Sequence, residues 1–380
     1  MSKQYLTNTR IVLADQVIED GSLVIEDGVI AAIDPEYCRA GDCRDLGGAT
    51  LMPGMIDLHC DALEKEVEPR PNVQFPLDFA CAQADKRNAA AGITTVFHAL
   101  SFAHQELGMR NNDMAAAVAR AVHAWQPHAL VDNRVHCRYE ITDPHGMPVL
   151  SELLEQGAAH LLSVMDHTPG QGQFKDIAAY RNYFKRAYAK SEQELDEILA
   201  RKLDAATEAV HRMQALVRHA QQHGISVASH DDDSADRVHA MDELGIRISE
   251  FPINLETARA ARDKGMATIF GAPNVVRGGS QSGSMRAADA VRAGVADCLC
   301  ADYAPATLLQ ALYRLMDDAG LDQAAATRLV TANPARAAGL DDRGEIGVGL
   351  RADLLAVRQR GNLPQVEQVW VAGRPALRLH

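Results

Sequence analysis

The residues best suited to chemistry in this 380-residue chain are metal-ligand types at the ends of short apolar runs. The first is Asp57-Leu58-His59-Cys60-Asp61. Period-two alternation puts Asp57, His59 and Asp61 on one face of a strand and Ile56, Leu58 and Cys60 on the other. One buried aspartate is ordinary. A histidine and an aspartate two residues apart at a strand end need a charged partner, and a divalent cation is the economical one. Four further runs end alike: His136-Cys137-Arg138-Tyr139-Glu140, with Arg138 and Glu140 on one face; LLSVMDH, closing on His167; ISVASH, closing on His230 before Asp231-Asp232-Asp233; and DCLCAD, closing on Asp302. Any one alone is more often structural. Together they point to a site where His59, Asp61, Glu140, His167 and His230 hold a metal that makes a water acidic. Asp302 is placed to ligate the same metal and to take that water's proton.

A second group suits phosphate. Gly271-Ala272-Pro273-Asn274-Val275-Val276-Arg277-Gly278-Gly279-Ser280 combines close backbone approach at Gly278, Gly279 and Ser280 with a guanidinium able to grip phosphate by two bonds. A Gly-rich loop by itself is usually a turn, so its weight comes from lying beside the metal ligands. Lys65, Arg70 and Arg138 are further anion-binding candidates, although Lys65 and Arg70 are equally at home in a solvated loop. His98 stands on a strand without a ligand pattern, and Cys60, Cys298 and Cys300 read as inert core thiols.

These groups need a scaffold that brings distant chain segments to one rim. Strand candidates at 55–61, 93–100, 134–141, 160–167, 225–230, 246–251, 267–271 and 297–302 are separated mostly by helix-compatible stretches. That alternation predicts an α/β fold, a (β/α)8 TIM-type barrel, whose active sites lie at the C-terminal ends of the strands. A doubly wound sheet would carry a Gly-rich first turn, and HCDALEKEVEPRP has no glycine. The predicted barrel spans 53–340 with a helical insertion at 168–224, where Ser191 and Glu194 have capping-box spacing. The insertion suits either extra packing or a lid. Segments 1–52 and 341–380 share short alternating runs, so the two termini are expected to build one small β domain, with hairpin turns at Asp20-Gly21 and Asp27-Gly28.

Composition narrows the partners. The net charge of −13 disfavours nucleic acid, so an anionic substrate must be held by a local basic cluster. No apolar run long enough for a membrane span and no signal-peptide pattern is present, and seven scattered cysteines read as reduced thiols, which together predict a cytoplasmic protein. A homo-oligomer stays open.

The motifs carry a resemblance. LMPGMIDLHCD, His167, His230, Asp302 and the two-ended β domain are similar to the metal-dependent amidohydrolase superfamily, with Asp61 where that group usually has a second histidine. The harder oxygen donor widens the metal from zinc toward manganese or iron, as one or two ions. No lysine on the third or fourth strand is available as a metal bridge, and Glu140 stands in for it. HCDALEKEVEPRPNVQFP, LLSVMDHTPGQGQF, VASHDDD, GAPNVVRGGSQSG and ADYAPATLL resemble, more narrowly, the PhnM family of phosphonate catabolism, with Cys60 and Ala62 where its members often carry Thr and Asn. That resemblance implies hydrolysis of the α–β phosphoanhydride of a phosphorylated ribose, ribose 1-methylphosphonate 5-triphosphate, with release of pyrophosphate. The alternatives are a C–N bond amidohydrolase, such as a deacetylase or cyclic amidase, using the same metal site, and a non-catalytic scaffold.

Overall fold

The computed structural model describes residues 3–34, 43–103, 110–166, 192–280 and 283–379. Eight parallel strands, β5 (Met55–Cys60), β6 (Ile93–Phe102), β7 (Asp132–Glu140), β8 (Leu161–Met165), β9 (Ser226–His230), β10 (Ile248–Glu250), β11 (Ala267–Gly271) and β12 (Cys298–Cys300), pair in chain order. Closure comes from the ends of the first and last strands. Asp302 N–H donates to His59 O at 2.9 Å, and Asp61 N–H donates to Asp302 O at 2.8 Å. The interior is filled by Ile56, Leu58, Phe97, Leu161, Ala228, Ile248, Ile269, Cys298 and Cys300, with Ala335 and Leu340 in the same cluster. It is a packed core, as the barrel reading requires.

Helices cover the outside. The strongly amphipathic helix Thr307–Ala319 buries Leu308, Leu312 and Leu315, while Asn112–Trp125 buries Val118, Ala119 and Val122. Asn111, Ser234, Asn254 and Asp322 each accept a backbone N–H at a helix start, which satisfies donors the first turn leaves open. Of the expected insertion, residues 168–191, Ser191 included, lie outside the described residues. The helix Glu192–Gln222 follows, and its Ala209, Met213, Leu216, Val217 and Ala220 join the outer core.

The termini build the expected second sheet: β1 (Lys3–Val12), β2 (Val17–Glu26), β3 (Val29–Ile33) and β4 (Cys43–Pro53) join β13 (Leu354–Arg360), β14 (Leu363–Val371) and β15 (Arg374–Arg378). The two chain ends meet where Leu355 pairs with Met52 in antiparallel register. This sheet has its own core around Leu23, Ile25, Leu51, Leu354 and Trp370. Its other side is tied to the barrel, since Leu355, Val366 and Val369 share a cluster with Met55, Ile93 and Leu312.

Two local expectations need correction. Asp27-Gly28 does make a hairpin turn, both residues having positive φ (54° and 88°). Asp20-Gly21, however, lies inside β2, where the register with β1 shifts on both sides of the Thr9–Gly21 pair. A Cβ on Gly21 would meet Ile11 Cδ1 at 2.9 Å, so this glycine serves close approach within an irregular ladder rather than chain reversal. Five cysteines, at 60, 81, 137, 298 and 300, are free and buried, but Cys43 is disulfide-bonded, against the expectation of seven reduced thiols.

Candidate metal centre

The first barrel strand does not alternate as its sequence suggests. Ile56 pairs with Thr95 and Asp57 with Val96, then the register shifts before Cys60 pairs with His98. The irregularity leaves Ile56 and Leu58, and not Asp57, in the interior cluster, while His59 still reaches the axis. Asp57 is thereby removed from the polar face expected of it. Its Oδ1 accepts the backbone N–H groups of Ala301 (2.9 Å) and His59 (3.1 Å), holding the bulge against the last strand. Burial pushes the Asp57 carboxyl up to about 7 even with those two donors.

Three other strand ends share one device. Asp231, Phe251 and Asp302, each just beyond its strand, have φ of 54°, 54° and 53°. Their N–H groups bond to the next strand, at Glu250 O, Ile269 O and His59 O respectively. A left-handed backbone is uncommon outside glycine and is an outlier for a residue as bulky as phenylalanine. The Phe251 ring accounts for its placement: it packs edge-on against His59 at 5.1 Å and His230 at 5.3 Å. Behind them, buried Asp232 accepts the hydroxyls of Ser229 and Ser249, neighbours of His230 and Glu250, and so clamps two ligand-bearing strand ends together.

The donor atoms of His59, Asp61 and Asp302 lie within 4.8 Å of one another, and so do those of His59, His230 and Glu250. His59 is shared: Nε2 lies 3.3 Å from Asp61 Oδ1, and Nδ1 lies 3.0 Å from Glu250 Oε1. Burial pulls the His59 pKa down, but the Glu250 and Asp61 carboxylates override it and raise it to about 10. Burial also works against ionising Asp61, yet Arg138, whose Nη1 donates to it at 3.0 Å, and His59 hold it well below the carboxylate range. Glu250 behaves likewise, its burial outweighed by His136 and His59, which bring it to about 2. At Asp302, burial and the Asp61 carboxylate both act upward. Three buried or half-buried carboxylates beside imidazoles call for positive charge, and the N/O donor set fits a divalent cation.

The sequence candidates therefore separate. His59, Asp61, His230 and Asp302 come together. Glu140 is buried at the end of β7, where its Oε1 accepts the Thr142 hydroxyl at 2.6 Å, and it belongs to neither donor group. His167 lies outside the described residues. Arg138 reaches the site through Asp61. Lys65, Arg70, Arg277 and Gly278 are exposed, whereas Gly279 and half-buried Ser280 follow the short helix Ala272–Arg277. That helix starts beside the site, since a Cβ on Gly271 would stand 3.7 Å from Asp302 Oδ2. His98 bonds through Nε2 to Asn133, away from the donor groups.

Two residues escaped the sequence reading. Glu250 ends the sixth strand as the others end theirs, so the strand-end signal was present. His136, two residues before Arg138 and four before Glu140 on the interior face of β7, donates Nδ1–H to Leu58 O at 3.0 Å, and burial first of all lowers its pKa to about 3. Arg110, which pairs with buried Glu64 at 2.8 Å, adds a third cation near Asp61 and Arg138.

Residues 50–376 match the family described as "Amidohydrolase family". The chain is 35% identical over 97% of its length, and 99% of the relative's, to the alpha-D-ribose 1-methylphosphonate 5-triphosphate diphosphatase of Escherichia coli (strain K12). Among solved structures, N-acetyl-D-glucosamine-6-phosphate deacetylase from Mycobacterium smegmatis superposes with TM-score 0.68 at 18% identity, covering 98% of this chain and 100% of that one. 5-Methylcytosine deaminase from Klebsiella pneumoniae gives 0.66 at 18%, covering 99% and 98%. These two share the fold.

Proposed function

We propose, from the premise that this chain belongs to the amidohydrolase family, that it hydrolyses ribose 1-methylphosphonate 5-triphosphate between the α- and β-phosphorus, leaving the 5-phosphate and pyrophosphate. The observation that carries this reading is the match to a diphosphatase along nearly the whole chain. The donor geometry agrees with it. His59, Asp61 and Asp302 would hold a divalent cation, zinc in first place and manganese or iron otherwise, with His230 beside them in a one- or two-ion site; Glu140 and His167 are ligand candidates from the sequence alone. Such an ion supplies charge neutralisation and Lewis acidity.

The chain's own groups supply the rest. A water attacks the α-phosphorus, its oxygen forming the new P–O bond as the bond to the bridging oxygen breaks and pyrophosphate departs. Asp302 takes the water's proton, a role that suits a carboxylate made more basic by burial and by Asp61. Arg138, Arg277 and the Gly278-Gly279-Ser280 backbone are proposed phosphate partners, with Lys65 and Arg70 at the rim. The 1–52 and 341–380 segments form the composite β domain of this reading, and 53–340 the catalytic barrel. The described residues contain no helix long and apolar enough to cross a membrane, and a cytoplasmic enzyme acting on a small phosphorylated substrate is proposed.

Metal-loaded protein incubated with the ribose triphosphate is expected to release pyrophosphate. Orthophosphate instead would move the cut to the terminal phosphorus. Silence toward phosphates together with amide cleavage would replace this reading with a C–N hydrolase.

A further inference from the structure

His59 belongs to both donor groups, and an imidazole cannot serve both in the same way. One nitrogen offers a lone pair while the other carries hydrogen, and the partner of that N–H decides which is which. Nδ1 faces the Glu250 carboxylate at 3.0 Å, a group that can only accept, and Nε2 faces Asp61 at 3.3 Å. The two sides also differ in access. The Glu250 side chain is 0% exposed, whereas that of Asp61 is 18% exposed and Asp302 is half-buried. A catalytic metal needs a coordination position that substrate can reach, which favours the Asp61–Asp302 side.

We infer that Glu250 is a positioning residue: it accepts the His59 Nδ1–H and thereby commits His59 Nε2 to a metal shared with Asp61 and Asp302, without ligating that metal itself. Its surroundings support the role. Ser249, its neighbour, is tied through Asp232 to Ser229 on the adjacent strand, so the carboxylate rests on a clamped backbone. His136 already spends its Nδ1–H on Leu58 O and leaves Glu250 Oε1 to His59, at 3.8 Å against 3.0 Å. This inference rests on the metal site of the proposed function and adds which residue aims its ligand.

The test is metal affinity, measured by competition for Zn²⁺ and Co²⁺ against a chromophoric chelator, with circular dichroism to verify each variant's fold. Glu250→Ala is expected to weaken binding about 10- to 100-fold, and Glu250→Gln, whose amide oxygen still accepts from Nδ1–H, less. The Co²⁺ visible spectrum of Glu250→Gln should match that of the unsubstituted protein, because no ligand has been exchanged. In a His59→Ala background, Glu250→Ala should change affinity no further, since Glu250 acts through His59. An equal further loss in that background, or an altered Co²⁺ spectrum in Glu250→Gln, would make Glu250 a ligand and overturn the inference, as would unchanged affinity in Glu250→Ala. Absence of metal binding by the unsubstituted protein would sink the metal reading itself. Metal binding without pyrophosphate release would sink only the substrate reading.

Discussion

The two rims of this barrel bury the same kinds of side chain and treat them in opposite ways. At the N-terminal rim, Arg343 is bonded at every guanidinium nitrogen: to Asp132 at 2.6 Å and Thr95 at 3.0 Å, and to Asp342 at 2.8 and 3.0 Å. Asp132 also receives Arg134 at 3.1 Å, and Arg351 pairs with Asp353, whose Oδ1 accepts Ala372 N–H from the terminal sheet. At the C-terminal rim, Asp61, Glu250 and Asp302 crowd around His59, and Glu250 Oε2 and His136 Nε2 are buried without a hydrogen-bond partner among the described residues. Leaving a buried polar atom unmet costs about 1–3 kcal/mol. Around Arg343 charge closes on itself and joins two parts of the fold, even with Asp353 Oδ2 nearby also unmet among the described residues, whereas the Asp61–Asp302 side of His59 stays open to something that arrives from outside.

That contrast breaks most sharply at Asp302. Asp302→Asn removes the proposed proton acceptor and is expected to lower turnover about 10³-fold. It also thins a crowd of carboxylates, so the melting temperature should hold or rise. Turnover within a few-fold of the unsubstituted enzyme would remove Asp302 from the chemistry. A large fall in melting temperature would place it with the structural charges of the other rim.

Arg343→Ala is the mirror case. Removing one partner from a buried pair costs up to about 3–5 kcal/mol, and less here because Arg134 and Arg351 still face Asp132. The melting temperature should fall substantially while pyrophosphate release per folded molecule stays unchanged. Lost activity in a variant that melts normally would mean that the lower rim communicates with the site, and the division between the rims would fail.

The upper rim was more legible in the sequence than the lower, for a physical reason. Each ligand candidate ends an apolar run, so local pattern and strand polarity were enough to gather His59, Asp61, His230 and Asp302. Glu250 carries the same signal in a strand of three residues, too short to stand out beside histidine-bearing neighbours. The irregular β5 was not legible, because alternation is blind to a bulge, and Asp57 was placed on the wrong face in consequence. Arg343 and Asp132 are 211 residues apart, and nothing local to either marks the other. Gly21 shows the same ambiguity on a smaller scale: a glycine after aspartate reads as a turn, yet it equally suits a ladder that another side chain must approach.

A smaller effect is expected at Arg277, which is exposed and lies farther along the loop from the donor groups. Arg277→Ala should raise KM for the triphosphate about tenfold, the worth of one charge-assisted hydrogen bond, while bound metal per chain stays constant. Unchanged KM would clear the Arg277–Ser280 loop of phosphate binding and leave Arg138 and Arg110 as the cations nearest the site.

The finest discrimination is the sign of the pH dependence, read in chelator-treated protein. Burial opposes ionising Asp132, but Arg134, Arg343 and Arg351 outweigh it and hold its carboxyl below the ordinary value. Between that lowered pKa and about 3.9 in the unfolded chain, the unfolded state binds more protons, so stability rises with pH. The contribution is complete above about pH 4 and disappears as acid carries the pH down through the folded value. Asp302 runs the other way: its raised carboxyl favours the protonated fold, a contribution present below about pH 4 and lost as pH climbs through the folded value. Melting curves between pH 3 and 7 should therefore show the deficit of Asp132→Asn shrinking on acidification and the relative stability of Asp302→Asn growing on alkalinisation. Parallel curves for both variants would mean that the rims differ in shape alone and not in how they hold charge.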